Sequence, residues 1–270
     1  MDFKDKVVII TGASSGIGRA LLYEFARLGG KVVAGARSFD KLKEIQSDLA
    51  KSGFDILPVQ VDVTSETQCK NLIDAALDKH GKIDILINNA GISMRALFKD
   101  VQLKVIKELM DTNFWGTVYC SKYAFPYLLV SRGSLVGVSS IAGYKGLPGR
   151  TAYTSSKFAI HGILDVIRTE NLKTGLHVLI ACPGFTSSNI RNTARAADGS
   201  QQGESPRDEK KMMSPELVAR KIAIAVYKRK RRLTLTLQGK VLVFLNKLFP
   251  HYVDKMVYNV FAKEPDSPLN

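Results

Sequence analysis

The chain has 270 residues, 45% hydrophobic and 24% charged, an ordinary globular usage that excludes wholesale disorder and allows a large buried core. Its 21 glycines keep no three-residue period, which excludes a collagen-like rod. The formal net charge is +14, and residues 201–270 hold 14 Lys and Arg against 7 Asp and Glu, so half of the excess lies in the last quarter.

KVVIITG (6–12) is a short apolar run closed by glycine, as expected of a strand buried on both faces. Residues 16–28 then place Ile17, Leu21, Leu22, Phe25 and Leu28 at helical spacing. KVVAGA (31–36) predicts a second strand, 39–51 a helix with Leu42, Ile45 and Leu49 on one stripe, and 56–63 a third strand. A helix follows over 66–79, then a fourth strand and turn over 83–91. The second half predicts a long helix over 102–130, a strand over 134–140, a helix over 152–173 and a strand over 177–184. Residues 186–213 are polar with few apolar anchors and read as a mobile segment on the substrate side. Helix resumes behind Ser214 and Pro215, a favourable cap and first-turn residue, and 233–237 gives a short last strand. Strands alternating with helices imply right-handed βαβ units. The fold class is therefore α/β: a single doubly wound Rossmann-type domain over 1–270, with a central mostly parallel sheet and helices on both faces.

Other classes are excluded by what is scattered or missing. Cys69, Cys120 and Cys182 stand far apart, against a disulfide framework, and with four dispersed histidines they make no local metal motif. MDFKDKVVII turns polar after Ile10, and no run of 18 apolar residues follows, so a cytoplasmic protein is expected.

The strongest local signal is Thr11-Gly12-Ala13-Ser14-Ser15-Gly16-Ile17-Gly18, between a strand and a helix. Gly12 allows a tight turn, Gly16 a close approach to an anion, and Gly18 close packing of helix on strand. The free N–H groups of the helix start point to the same place, so a diphosphate can bind there. The second strand ends in Ala36-Arg37, where an acidic residue would hold ribose hydroxyls; a guanidinium favours a 2′-phosphate, hence NADP(H). Asp62 closes the third strand, where it meets an adenine amino group or caps a turn. Asn88-Asn89-Ala90-Gly91 closes the fourth, at the carboxyl edge of the sheet.

Tyr153 and Lys157 lie four residues apart on one helical face, and Ser140 ends the preceding strand. A carbonyl that accepts hydride needs a proton and a hydrogen bond at its oxygen, which tyrosine and serine supply. The Lys157 ammonium is expected to favour phenolate and lower the tyrosine pKa. Strand alternation points Ser139 away from Ser140.

TGASSGIG, NNAG, Ser140 and YTSSK stand in the order that resembles the short-chain dehydrogenase/reductase family over about residues 4–190, most nearly its NADP(H)-dependent carbonyl or hydroxysteroid dehydrogenase-like members. The resemblance implies NADP(H)-dependent oxidation of an alcohol or reduction of a carbonyl. It implies a tetrad of Asn113, Ser140, Tyr153 and Lys157, with the Asn113 carbonyl holding a water that continues a proton relay from Lys157. The cofactor contacts it implies are Gly12, Ser14, Ser15, Gly16, Ile17, Gly18, Arg37, Asp62, Val63, Asn89, Ala90, Gly91, Tyr153 and Lys157. Pro183 and Gly184 fall beneath the nicotinamide, and Thr186 and Ser188 beside its carboxamide. Serine at 188 stands where the family usually has threonine and keeps the hydroxyl.

Met94, Leu97, Tyr144, Leu147, Pro148 and Phe185 are expected to line an apolar pocket, with no arginine or histidine placed to demand an acid. A small lipophilic carbonyl or alcohol is the expected substrate. The basic run Lys228–Arg232 opens an amphipathic extension over 228–270, which either makes peripheral contact with an anionic membrane or packs on the domain. The resemblance implies a homodimer or homotetramer formed through the helices at 102–130 and 152–173. No nucleic-acid partner is expected. The competing reading is a noncatalytic NADP(H)-binding regulatory protein.

Overall fold

The computed structural model describes residues 1–203, 205 and 212–269. Seven strands form one sheet: β1 Val7–Thr11, β2 Lys31–Ala36, β3 Ile56–Gln60, β4 Ile85–Asn88, β5 Ser134–Val138, β6 His177–Cys182 and β7 Arg232–Thr234. Their order across the sheet is β3-β2-β1-β4-β5-β6-β7, and every pairing is parallel. Parallel strands covered on both faces must be apolar throughout, and β1, β4, β5 and β6 are buried at every residue. The sequence direction reverses between β1 and β4, opening a crevice at their carboxyl ends.

Helices α1 Gly16–Arg27, α2 Phe39–Lys51 and α7 Pro215–Tyr227 cover one face. Phe25, Leu42, Ile45 and Ile222 share a core there with Ile10 and Val136. Helices α3 Glu66–His80, α5 Gly116–Val130 and α6 Thr151–Glu170 cover the other, burying Leu72, Leu128 and Leu164 against Ile9 and Leu135. Buried Asp84 ties the amino edge together, accepting from Lys6 Nζ at 2.9 Å and from the Val7 amide at 3.0 Å.

The helix expected over 102–130 is interrupted. Helix α4, Leu103–Leu109, gives way to a π-helical turn at Met110–Trp115 before α5 begins. The cause is tertiary: fully buried Asn113 turns its amide onto the Ile92 backbone, accepting from Ile92 N at 2.8 Å and donating to Ile92 O at 3.0 Å. A widened turn is how a helix re-aims one side chain, and such turns concentrate at functional sites.

Part of the segment expected to be mobile, residues 204 and 206–211, lies outside the described residues. Its described part is tied to the domain by Arg195, which donates from Nη2 to Glu108 at 2.6 Å and accepts at its carbonyl from Arg95 N at 2.8 Å. The last fifth of the chain forms α8 Leu237–Leu248 and α9 Pro250–Ala262. Val253, Val257 and Phe261 of α9 pack on Leu147, Leu242 and Leu245 in a small core of their own. One side of the extension thus packs on the domain. The basic run 228–232 sits elsewhere, at the amino edge: Arg229 donates to Arg132 O and Gly175 O, and Arg232 pairs with Asp165 at 2.5 Å.

Candidate active site

The crevice beside β1 and β4 is built by short polar ties. Thr11 Oγ1 accepts from the amides of Asn89 at 3.0 Å and Ala90 at 3.1 Å, and Asn89 Nδ2 returns a bond to Thr11 O at 3.0 Å. The loop then turns through Gly12 at φ +66°. A Cβ on Gly12 would come within 2.8 Å of Ala90 Cα, and one on Gly18 within 2.1 Å of Gly12 O, so only glycine closes this loop.

A cleft of about 340 Å³ runs along it, lined by Gly12, Ser14, Ser15, Gly16, Ile17, Arg37, Asp62, Val63, Asn89, Ala90, Gly91 and Ser188. Two helices aim their N-termini at this cleft, and neither is capped. Ser15 and Ser38 occupy the N-cap positions of α1 and α2 without a side-chain cap bond, whereas Ser65, Ser214 and Thr236 do cap α3, α7 and α8. Uncapped N–H groups facing a polar cleft fit phosphate oxygens. Arg37 stands exposed at the far end beside Ser38 and Lys41; Lys41 is a second cation that no sequence motif marked. Asp62 uses Oδ1 to cap the next turn, accepting from Thr64 N at 3.0 Å and Thr64 Oγ1 at 2.8 Å. The residues present therefore fit a dinucleotide.

Ile17, Asn89, Gly91 and Ser188 also line a larger cavity of about 980 Å³, so the two spaces join. Ser140, Tyr153, Lys157, Pro183, Gly184 and Thr186 all face it. Of the six apolar residues expected to line it, only Leu147 and Phe185 do. Met94 is instead fully buried in the core below, and Tyr144 packs edge-on against His161 with ring centroids 4.6 Å apart. Met213, Leu217, Leu242, Met256 and Val260 supply the apolar wall. Met213 comes from the end of the 186–213 segment expected on the substrate side, and the others from α7 and the C-terminal helices, whose approach no local motif reveals. Arg150 and Arg191 also line the cavity, contrary to the expectation of no arginine there.

The electrostatics also correct the sequence reading. Burial raises the Tyr153 phenol above its ordinary pKa, while the Ser140 hydrogen bond and the charges of Arg150 and Arg191 pull the other way. Lys157 is not among these leading influences. Its Nζ lies 5.6 Å from the Tyr153 ring centroid and donates to Val138 O at 3.0 Å. Burial brings the Lys157 ammonium down to about 8. Asn113 lies behind the lysine, donating to Ser156 Oγ at 2.9 Å, and its carbonyl accepts from Thr117 Oγ1 at 2.8 Å. Thr186 Oγ1 donates to Gly184 O at 3.1 Å, holding the turn after β6. Both serines border the cavity, but buried Ser139 turns its hydroxyl to His161 Nε2 at 2.8 Å.

Relatives share this plan. The chain is 34% identical over 263 residues to a dehydrogenase/reductase SDR family protein 7-like from Dictyostelium discoideum, covering 95% of this chain and 82% of the relative. It is 37% identical over 191 residues to 11-beta-hydroxysteroid dehydrogenase A from Sesamum indicum, covering 70% of this chain and 55% of that one. Two solved structures share the fold. An alcohol dehydrogenase from Thermococcus sibiricus, complexed with 5-hydroxy-NADP, superposes with a TM-score of 0.74 at 24% identity, over 84% of this chain and 93% of that one. A short-chain dehydrogenase/reductase from Burkholderia phymatum, in complex with NAD, gives 0.84 at 22% identity, over 93% and 96%. The short chain dehydrogenase family model matches residues 6–199, from the first strand through the turn after β6. A model matching most of the chain, and a relative 34% identical over 95% of it, show that the chain belongs to the short-chain dehydrogenase family.

Proposed function

We propose that this protein is an NADP(H)-dependent oxidoreductase that moves a hydride between the nicotinamide and a carbonyl or secondary alcohol of a small lipophilic substrate. The observation that carries the reading is that the polar cleft meets, at Ile17, Asn89, Gly91 and Ser188, an apolar-walled cavity lined by Ser140, Tyr153 and Lys157. Bound NADPH supplies the hydride, and bound NADP+ accepts one. Ser140 and Tyr153 hold the substrate oxygen by hydrogen bonds, and Tyr153 gives its proton as negative charge develops there. A phenol held above about 10 is fully protonated at neutral pH, which favours carbonyl reduction. Lys157 keeps two N–H groups beyond its bond to Val138 for ribose hydroxyls. Asn113 is the fourth member, its carbonyl holding a water that links Lys157 to solvent. Pro183, Gly184, Thr186 and Ser188 flank the nicotinamide, and Arg37 takes the 2′-phosphate. The name of the sesame relative supports a lipophilic alcohol or ketone. We assign the protein to the cytoplasm as a homodimer or homotetramer, with peripheral membrane contact through its C-terminal helices.

The decisive experiment is a paired equilibrium titration with NADPH and NADH, on the wild type and on Arg37→Ala. The wild type is expected to prefer NADPH, and the variant to lose roughly tenfold or more of that affinity with little change for NADH. Equal losses for both cofactors would remove Arg37 from the phosphate site, and a wild-type preference for NADH would overturn the cofactor assignment.

A further inference from the structure

The mechanism leaves one buried histidine unused. His161 lies on α6 four residues beyond Lys157 and eight beyond Tyr153, so the three share one helix face. Each meets a different residue at the end of β5. Tyr153 faces the same cavity as Ser140, whose hydroxyl draws the phenol pKa down, Lys157 Nζ donates to Val138 O at 3.0 Å, and His161 Nε2 lies 2.8 Å from Ser139 Oγ. Successive turns of one helix thus meet three consecutive residues of one strand end, and hydrogen bonds pin the turns at Lys157 and His161.

The pin at His161 is buried. The imidazole is 7% exposed, stacks edge-on against Tyr144 and lies 3.6 Å from Cys182 Sγ. The backbone of Gly143 lies over it so closely that a Cβ there would come within 2.5 Å of Nε2. Ser139 is therefore fixed twice, by its hydroxyl on α6 and by its amide, which donates to Ala181 O at 2.7 Å. Ser140 follows directly in extended backbone, and its Oγ accepts from Ala142 N at 3.2 Å to start the 3-10 turn Ile141–Gly143. The turn that presents the Ser140 hydroxyl is built against the histidine ring. Burial takes that ring down to about 4, so it stays neutral at the pH where the site works.

We propose that His161 is a positioning residue: through Ser139 and Gly143 it holds Ser140 in register with Tyr153, so that hydroxyl and phenol converge on one substrate oxygen. The role rests on the hydride-transfer reading above, but its geometry is testable without turnover. The probe is the 13Cζ resonance of Tyr153 at neutral pH in the cofactor-free protein, assigned with Tyr153→Phe, because that carbon reports hydrogen bonding at the phenol. His161→Leu removes the pin at similar volume, Ser139→Ala removes it from the other side, and His161→Gln places an amide nitrogen near the position of Nε2.

His161→Leu and Ser139→Ala are expected to move the resonance toward its position in Ser140→Ala, while His161→Gln stays near wild type. Combining either with Ser140→Ala should add nothing. With any carbonyl substrate found by screening, kcat in His161→Leu should fall roughly tenfold while the NADPH dissociation constant stays within about twofold. A Tyr153 resonance unmoved by Ser139→Ala, or shifts that add to those of Ser140→Ala, would overturn the proposal. Should His161→Leu fail to fold, Ser139→Ala and His161→Gln decide alone. Absence of wild-type turnover counts against the hydride-transfer reading and leaves the resonance test intact.

Discussion

A buried phenol gives up its proton less readily than an exposed one, and Tyr153 is such a phenol even with the Lys157 ammonium 5.6 Å from its ring centroid. Desolvation outweighs the Ser140 hydrogen bond and the charges of Arg150 and Arg191, so the proton stays on oxygen until a developing alkoxide takes it. This predicts a clean split on Tyr153→Phe. The ring remains to pack, so NADPH affinity should stay within about twofold by fluorescence titration, while turnover falls by about a hundredfold or more. Full turnover in the variant would show that another group donates the proton. The YxxxK spacing announces the pair in the sequence, but the hydrogen-bond partner of the lysine was not legible there. Lys157 donates to Val138 O, a backbone acceptor visible only when α6 is laid on β5.

At the scale of elements, periodicity gave the layers and tertiary contacts gave the departures. Strand runs at 6–12 and 177–184 and the stripe Leu42, Ile45, Leu49 were legible because burial on two faces or one leaves a direct mark on residue type. The π-helical turn at Met110–Trp115 was not, because it answers to Ile92, some twenty residues upstream. The cavity wall from α7, α8 and α9 was hidden for the same reason. Helix α6 carries a further consequence that can be measured. His161 falls to about 4 through burial first, then through the charges of Arg232, Lys157 and Arg168, against Asp165. The unfolded chain therefore binds a proton at His161 between about 6.5 and 4 that the folded chain refuses, and folding stability must fall with pH over that window. The loss is complete below pH 4 and amounts to about 3 kcal/mol. His177 is also depressed by burial, but it is common to both proteins in the comparison. Urea unfolding of wild type and His161→Gln should converge as pH drops from 6.5 to 4, and parallel curves would show that His161 does not resist protonation.

Over the whole molecule, two apolar faces lie uncovered among the described residues. The outer face of α5 and α6 exposes Tyr127, Phe158 and Val166, with Trp115 just before α5, each at 40% or more, and Gly162 between Phe158 and Val166 leaves open space above it. The proposed homo-oligomer would bury this face, so Val166→Asp should yield monomers by sedimentation velocity; an unchanged sedimentation coefficient would move the interface elsewhere. The other face is α8. Leu237, Val241, Phe244 and Leu248 recur at four, three and four residues and are between 45% and 77% exposed, which places them on one stripe. Exposed Lys240 and Lys247 follow its flank, and Val241 also lines the cavity, so the stripe adjoins the substrate mouth. Among the described residues no helix is long and apolar enough to cross a membrane, and the peripheral contact proposed above would run through this stripe. The run 228–232 cannot share that surface, because β7 carries the chain from the amino edge to the carboxyl edge between them, and Arg229 and Arg232 are already bonded within the domain. Membrane affinity should then follow the stripe. Each flanking lysine is worth about 1 kcal/mol near an anionic bilayer, and a buried Phe244 side chain about 1.5–3 kcal/mol. In flotation with phosphatidylserine vesicles, Phe244→Asp should lose most binding, while Lys228→Ala and Arg231→Ala together should change it little. The opposite ranking would return the contact to the basic run, and a wild type that never floats would remove membrane contact from the assignment.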